Sequence, residues 1–137
     1  MAAVVELYYM SLGWDDMQVL TLCEALRAAH AGGGLRKLEQ LVLGDNEMGD
    51  GAMAALVALL EEGAMPNLQA LELSGNQISD AGVARLASAL RGGAMPSCGH
   101  IGLDDNAGSD DDPFMEEVLA SPERAVALAR RQDELSP

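Results

Sequence analysis

The sequence predicts an α/β fold: a short solenoid with a curved layer of parallel strands and helices on its convex side. Three observations point there. Leu38, Leu41, Leu43, Asn46, Met48, Asp50, Gly51, Leu56 and Leu60 stand 30 positions before Leu68, Leu71, Leu73, Asn76, Ile78, Asp80, Ala81, Leu86 and Leu90. Within each copy the apolar spacing changes from the alternation of a strand to the stripe of a helix. An asparagine, Asn46 or Asn76, marks the change each time.

The first unit, VELYYMSLGWDDMQVLTLCEAL, is divergent: Val4, Leu7 and Tyr9 precede Leu38, Leu41 and Leu43 by 34 positions, and Leu12 holds the asparagine position. This unit is expected to close the stack at its amino end, with Tyr9 and Trp14 packing over the leucine layer. The added length falls in AHAGGGLRK, where Gly32, Gly33 and Gly34 absorb a loop insertion.

In the two central units, LEQLVLGDN and LQALELSGN are read as strands leaving through a turn. The asparagine side chain offers both a donor and an acceptor to the backbone exposed at that corner, so Asn46, Asn76 and Asn106 are expected to form an internal polar ladder. Val83, Leu86, Ala87 and Leu90 line one helical stripe. Asp50 and Asp80 are expected to cap the helices that follow them, with Gly51 and Gly82 allowing close turns. EEGAMP and RGGAMP end the helices, since Pro66 and Pro96 cannot continue a helical ladder. CGHIGLDDN is a weaker further copy, with Leu103 and Asn106 30 positions after Leu73 and Asn76. Neither a strand nor a helix of this kind buries its apolar side alone; stacking repeat on repeat makes one continuous core.

Residues 1–111 are thus read as a solenoid of about four units with divergent ends, and 112–137 as an irregular helical cap with an acidic tail. In the latter, Pro113 is expected to start a helix at Phe114. SPERAVALARR forms a last helix capped by Ser121, with Pro122 in its first turn and Arg130 and Arg131 near its end.

Composition narrows the function. The 137 residues suffice for one domain with a modest core. Eight basic against 22 acidic residues give a formal charge of −14, a field that repels phosphate backbones and anionic lipid, so nucleic acid and membrane surfaces are poor partners and a basic protein surface is a favoured one. Residues 38–67 carry six acidic side chains and no basic one. Two cysteines on core-like segments, Cys23 and Cys98, point to reduced thiols and an intracellular chain, cytoplasmic or nuclear. The amino terminus has Glu6 within its apolar stretch and no basic start, unlike a signal peptide. The chain leaves its oligomeric state open.

Alternation maps an outward, concave strand surface. Tyr8, Val42, Glu72 and Gly102 form one row; Glu6, Gln40, Ala70 and His100 form its neighbour; Met10, Gly44, Ser74 and Asp104 lie toward the strand exits. Tyr8 beside carboxylates combines an aromatic anchor with charge selection for a basic partner.

LxxLxLxxN is intact at Leu38 to Asn46 and at Leu68 to Asn76, the second followed by Ile78, Asp80 and Gly82. These residues resemble the leucine-rich repeat family, specifically its long, helix-containing, ribonuclease-inhibitor-like subtype. The resemblance covers about residues 4–110. It implies a curved solenoid that binds other proteins, often through its concave strand surface; the lack of coherent catalytic residues in the sequence adds the expectation of no catalysis and no cofactor. A structural segment capping or extending a larger repeat protein is the alternative.

Other chemistries find weaker footing. From Asp104, the run DDNAGSDDD places Asn106 and Asp110 at useful oxygen positions, but Ser109 replaces the sharp-turn glycine and Met115 the final bidentate acid of a calcium loop. Loose divalent binding by Asp110, Asp111 and Asp112 is the residual possibility on that run. A small hydrolase would need Cys98 as nucleophile and His100 as base, with Asp104 and Asp105 nearby, yet no adjacent oxyanion site is evident. Neither His30 nor His100 stands at metal-ligand spacing, and the scattered methionines imply no cofactor box.

Overall fold

The computed structural model describes residues 6–107 and 112–135, with side chains defined for 6–107 and 115–130. Nine elements follow in chain order: β1 (Glu6–Tyr8), α1 (Asp16–Ala31), β2 (Gln40–Val42), α2 (Asp50–Glu61), β3 (Ala70–Glu72), α3 (Asp80–Arg91), β4 (His100–Gly102), α4 (Asp112–Leu119) and α5 (Pro122–Leu135). Val4, Ser109, Asp110, Asp111 and the side chains of Asp112, Phe114 and Arg131, all used in the sequence reading, lie outside the described set.

Parallel strands cannot be joined by a hairpin; each pair needs a crossover, which a helix supplies here every time. The result is one parallel sheet in the order β1-β2-β3-β4, with helices α1, α2 and α3 packed side by side behind it. The register is uninterrupted: Glu6, Gln40, Ala70 and His100 form one row, Leu7, Leu41, Leu71 and Ile101 the next, and Tyr8, Val42, Glu72 and Gly102 the third. The middle row faces the helices, and Leu41 and Leu71 are fully buried there with Leu43, Leu73, Met48, Leu56 and Leu86.

At each strand exit the chain turns through one residue of left-handed backbone. Ser11, Asp45, Gly75 and Asp105 have φ of 56°, 56°, 73° and 57°, and each stands immediately before the asparagine position of its unit. Short polar side chains tolerate this conformation, and glycine adopts it freely.

The asparagines then bridge neighbouring units. Asn76 is buried; its Nδ2 donates to the Leu43 and Leu73 carbonyls, both at 3.0 Å, and its Oδ1 accepts from the Met48 N–H at 3.1 Å. Asn106 repeats this one unit on, donating to Leu73 and Leu103 and accepting from the Ile78 N–H. Asn46 donates to Tyr9 and Leu43 and accepts from the Leu12 and Trp14 N–H groups. Each amide therefore satisfies buried backbone groups on two units at once.

The helix starts depart from the sequence reading. Asp50 and Asp80 are the first residues of their helices rather than the caps, which are Gly49 and Ser79. The Asp50 carboxylate instead reaches the next helix, accepting from the Ser79 N–H at 2.9 Å and from the Ser79 hydroxyl. Asp16 does the same one unit earlier, accepting from the Gly49 N–H at 2.6 Å. The negative charge thus sits at the positive end of the neighbouring helix. Gly82 serves this approach rather than a turn: a Cβ there would lie 2.4 Å from Asp50 Oδ1 and 2.7 Å from Ile78 Cγ2.

Two further helices cover the other side of α3. Met115 and Val118 of α4 join the core. At the start of α5, Ser121 Oγ accepts from the Arg124 N–H at 3.3 Å. Arg124, 3% exposed, donates to the carbonyls of Leu90 at 2.8 Å, Ala94 at 2.6 Å and Met95 at 2.5 Å. These acceptors terminate α3, so a buried cation closes the negative end of that helix.

At the amino end, Tyr9 and Trp14 stack with ring centroids 5.2 Å apart and pack against the core. Ion pairs Arg27–Glu62 and Arg85–Glu61 link α1 and α3 to α2 at the surface, where such pairs contribute little stability.

Candidate functional site on the open face of the sheet

With the leucine row turned toward the helices, the two flanking rows project from the open face of the sheet. Tyr8 stands 55% exposed at one end, its hydroxyl donating to Gln40 Oε1 at 3.1 Å. Glu6 and His100 are exposed, and Gln40 and Ala70 half-buried. Met10 is exposed, Ser74 half-buried, Gly44 buried and Asp104 exposed at the strand exits.

Val42 corrects the sequence map: although it points out of the sheet, it is only 8% exposed. Its neighbours in the row are Tyr8 on β1 and Glu72 on β3, and the Glu72 carboxylate turns away from it toward β4. Val42 is accordingly a covered apolar position in the row between Tyr8 and Glu72. Gly102 is buried as well. The Glu72 carboxylate lies across it, and a Cβ on Gly102 would come within 2.2 Å of Glu72 Oε1.

The structure brings Glu72, Ser74 and His100 together. Glu72 Oε1 accepts from the Ser74 N–H at 3.0 Å and from the Ser74 hydroxyl, and Oε2 lies 3.4 Å from His100 Nε2. Burial pushes the Glu72 carboxyl up, but the Ser74 hydroxyl and N–H, together with His100, outweigh it and hold the group below the ordinary glutamate value. Glu72 is thus a charged, oriented acceptor in the middle of the face. Sequence alternation placed Ser74 and His100 in separate rows; only the bend of the Glu72 side chain along and across the strands joins them. Glu6, Ala70 and Asp104 take no part in this cluster.

Cys98 and His100 do not form a catalytic pair. The Cys98 thiol is buried and donates to the backbone carbonyl of His100 at 3.4 Å, while the His100 ring turns to the open face and Glu72. Burial raises the Cys98 thiol above the ordinary cysteine range, against smaller opposing effects of the His100 backbone and Arg124, and so disfavours the thiolate a nucleophile needs. Among the described residues, no group of three or more His, Cys, Asp or Glu side chains could hold a metal ion, and no helix is long and apolar enough to cross a membrane.

Comparison with known proteins agrees with this geometry. A family described as leucine-rich repeat matches residues 34–57 and 64–87, the two central units. No curated protein matches the chain in sequence. Among solved structures, a chain titled "Leiomodin-1 Actin-Binding Site 2 (ABS2)" is similar, with a TM-score of 0.64 and 15% identity over 95% of this chain and 82% of that one. At that identity the likeness is one of fold. The protein has a leucine-rich-repeat-type fold: alternating strands and helices with a parallel strand layer.

Proposed function

We propose that the chain is a noncatalytic protein-interaction module of the long, ribonuclease-inhibitor-like repeat type. It binds a partner through its concave strand face, with residues 112–137 serving as the terminal cap. The observation that carries this reading is the row Tyr8–Val42–Glu72: an exposed ring, a covered valine and a carboxylate held in place by Ser74 and His100. A lysine or arginine of the partner meets the Glu72 carboxylate through a charge-assisted hydrogen bond, while the exposed Tyr8 ring takes an apolar or cationic group of the same surface. Gln40, Ser74 and His100 border this seat, and Glu6, Ala70 and Asp104 extend its acidic and small-residue margin. The formal charge of −14 favours approach of a basic surface. The similar chain titled an actin-binding site is one case of this fold serving protein recognition. Cys23 and Cys98, both buried and unbridged, fit an intracellular setting.

The test is affinity capture from native extract, with purified actin as a separate probe, followed by titration of whatever is retained. Tyr8→Ala and Glu72→Lys are each expected to weaken the captured partner at least tenfold while circular dichroism and melting stay near wild type. Unchanged affinity in both variants rejects this face as the binding surface.

A further inference from the structure

The Glu72 side chain leans toward β4. Its partner in the row there is Gly102, and since that position carries no Cβ the carboxylate fills the space above it; a Cβ would collide with both of its oxygens. From this position the two oxygens divide their partners. Oε1 takes both Ser74 donors, the N–H and the hydroxyl, which belong to the same chain segment and hold the group in place. Oε2 faces His100, two residues before Gly102 on the neighbouring strand, with Nε2 at 3.4 Å. The oxygen that Ser74 leaves over for a partner is thus the one an imidazole already touches, and that imidazole is largely exposed.

An imidazole changes charge between about pH 5 and 8, the range in which other ordinary side chains do not. The Ser74 donors are neutral throughout that range, and Glu72, held below the ordinary glutamate value, stays ionised across it. Of the elements packed against β4, β3 places Glu72 and the uncharged Ala70 beside His100, and α4 carries exposed Glu116 and Glu117. On β4 itself Cys98 is buried with its thiol on the His100 carbonyl, and Asp104 is exposed at the strand exit. The charged groups around the ring are therefore carboxylates, and Glu72 is the one it meets.

We propose that His100 is a proton-operated switch on the open face: neutral, it leaves Glu72 Oε2 to a lysine or arginine of a basic partner; protonated, it pairs with that oxygen itself and repels the incoming cation. The switch rests on the open face being the binding surface and adds its regulation. Cation and proton compete for one carboxylate oxygen, so binding releases a proton from His100, and affinity falls as pH drops through the titration of the imidazole and recovers as pH rises.

The probe is a set of histidine-free peptides taken from a displayed random-peptide library on the full chain at about pH 7.5, with Glu72→Lys protein as counter-selection. Each peptide is titrated against wild type, His100→Gln and His100→Arg at about pH 7.5 and about pH 5.5. Because the pair is exposed, wild type is expected to bind about threefold to fivefold more weakly at the lower pH. His100→Gln, uncharged at both, is expected to keep the tighter affinity at both, which also shows that the face stays folded in acid. His100→Arg, charged at both, is expected to show the weaker affinity at both. His30, the chain's other histidine, stands in the last turn of α1, and His30→Gln is expected to respond to pH as wild type does. Equal wild-type affinity at the two pH values, a pH dependence that survives in His100→Gln or vanishes in His30→Gln, or tight binding by His100→Arg at neutral pH overturns the switch and leaves the open face standing as the binding surface. A library that yields no peptide dependent on Glu72 overturns that surface, and the switch with it.

Discussion

Asn76 joins three backbone groups at its buried corner: the Leu43 and Leu73 carbonyls, which also accept from the Asn46 and Asn106 side chains, and the Met48 N–H, which donates to the Asn76 amide oxygen. An unsatisfied buried polar group costs about 1–3 kcal/mol. Asn76→Ala, which leaves the buried Met48 N–H without its acceptor, is therefore expected to lower unfolding free energy by about 1–3 kcal/mol in urea titration, and Asn106→Ala by less, because its corner is only half-buried. Equal, negligible losses would mean that water replaces the amide at both corners. Arg124 is the comparable cation. Arg124→Ala removes the guanidinium donor from the Leu90, Ala94 and Met95 carbonyls, of which Leu90 and Met95 keep the Gly93 and Cys98 N–H groups, and is expected to cost about 1–3 kcal/mol by the same measurement; a loss within about 0.5 kcal/mol, as for an ordinary surface site, would contradict its role at the end of α3. The asparagines were legible in the sequence because they keep register with the leucines. Arg124 was not: in SPERAVALARR it looks like one more surface charge, and its partners are main-chain oxygens 29–34 residues away that leave no mark in the side-chain pattern.

At the level of elements, strand and helix share one apolar layer. Leu71 of β3 is fully buried in it, so Leu71→Ala is expected to destabilise the chain by about 2–5 kcal/mol through lost burial and a residual cavity. A loss below about 1 kcal/mol would indicate that the layer collapses around the gap. The helix starts are linked by Asp50, whose carboxyl is held below the ordinary aspartate value first by the Ser79 hydroxyl, then by the Ser79 N–H against a smaller effect of burial, with the Gly82 N–H adding to the lowering. A depressed folded value means that its stabilisation is present above the ordinary aspartate pKa of the unfolded chain and is lost as pH falls through the lower folded one. Stability measured from neutral pH to below about pH 4 should fall less steeply in Asp50→Asn than in wild type; parallel acid limbs would show that Asp50 is not differentially ionised. The sequence located Asp50 at a helix start but assigned it to its own helix. Which helix a carboxylate serves depends on interhelical approach, here permitted by Gly82, and periodicity along one element does not contain that distance.

For the whole molecule, the thirty-residue interval was enough to read strand order, parallel direction and the inward leucine row, since identical units stacked by identical contacts have little choice of register. The open face was legible only as rows. Burial of Val42 and convergence of Glu72, Ser74 and His100 arise from how far side chains lean across neighbouring strands, which alternation alone does not specify. Since this face depends on units adding in register, amide hydrogen exchange at Met48 in wild type and Asn76→Ala is the most direct measurement. Stacking in register predicts that the Met48 amide of wild type exchanges only with opening of the whole stack, as Ile78 does, and that Asn76→Ala accelerates Met48 beyond its general loss of stability. A Met48 amide that exchanges as fast as an unstructured peptide in wild type, or that is insensitive to Asn76, would contradict it.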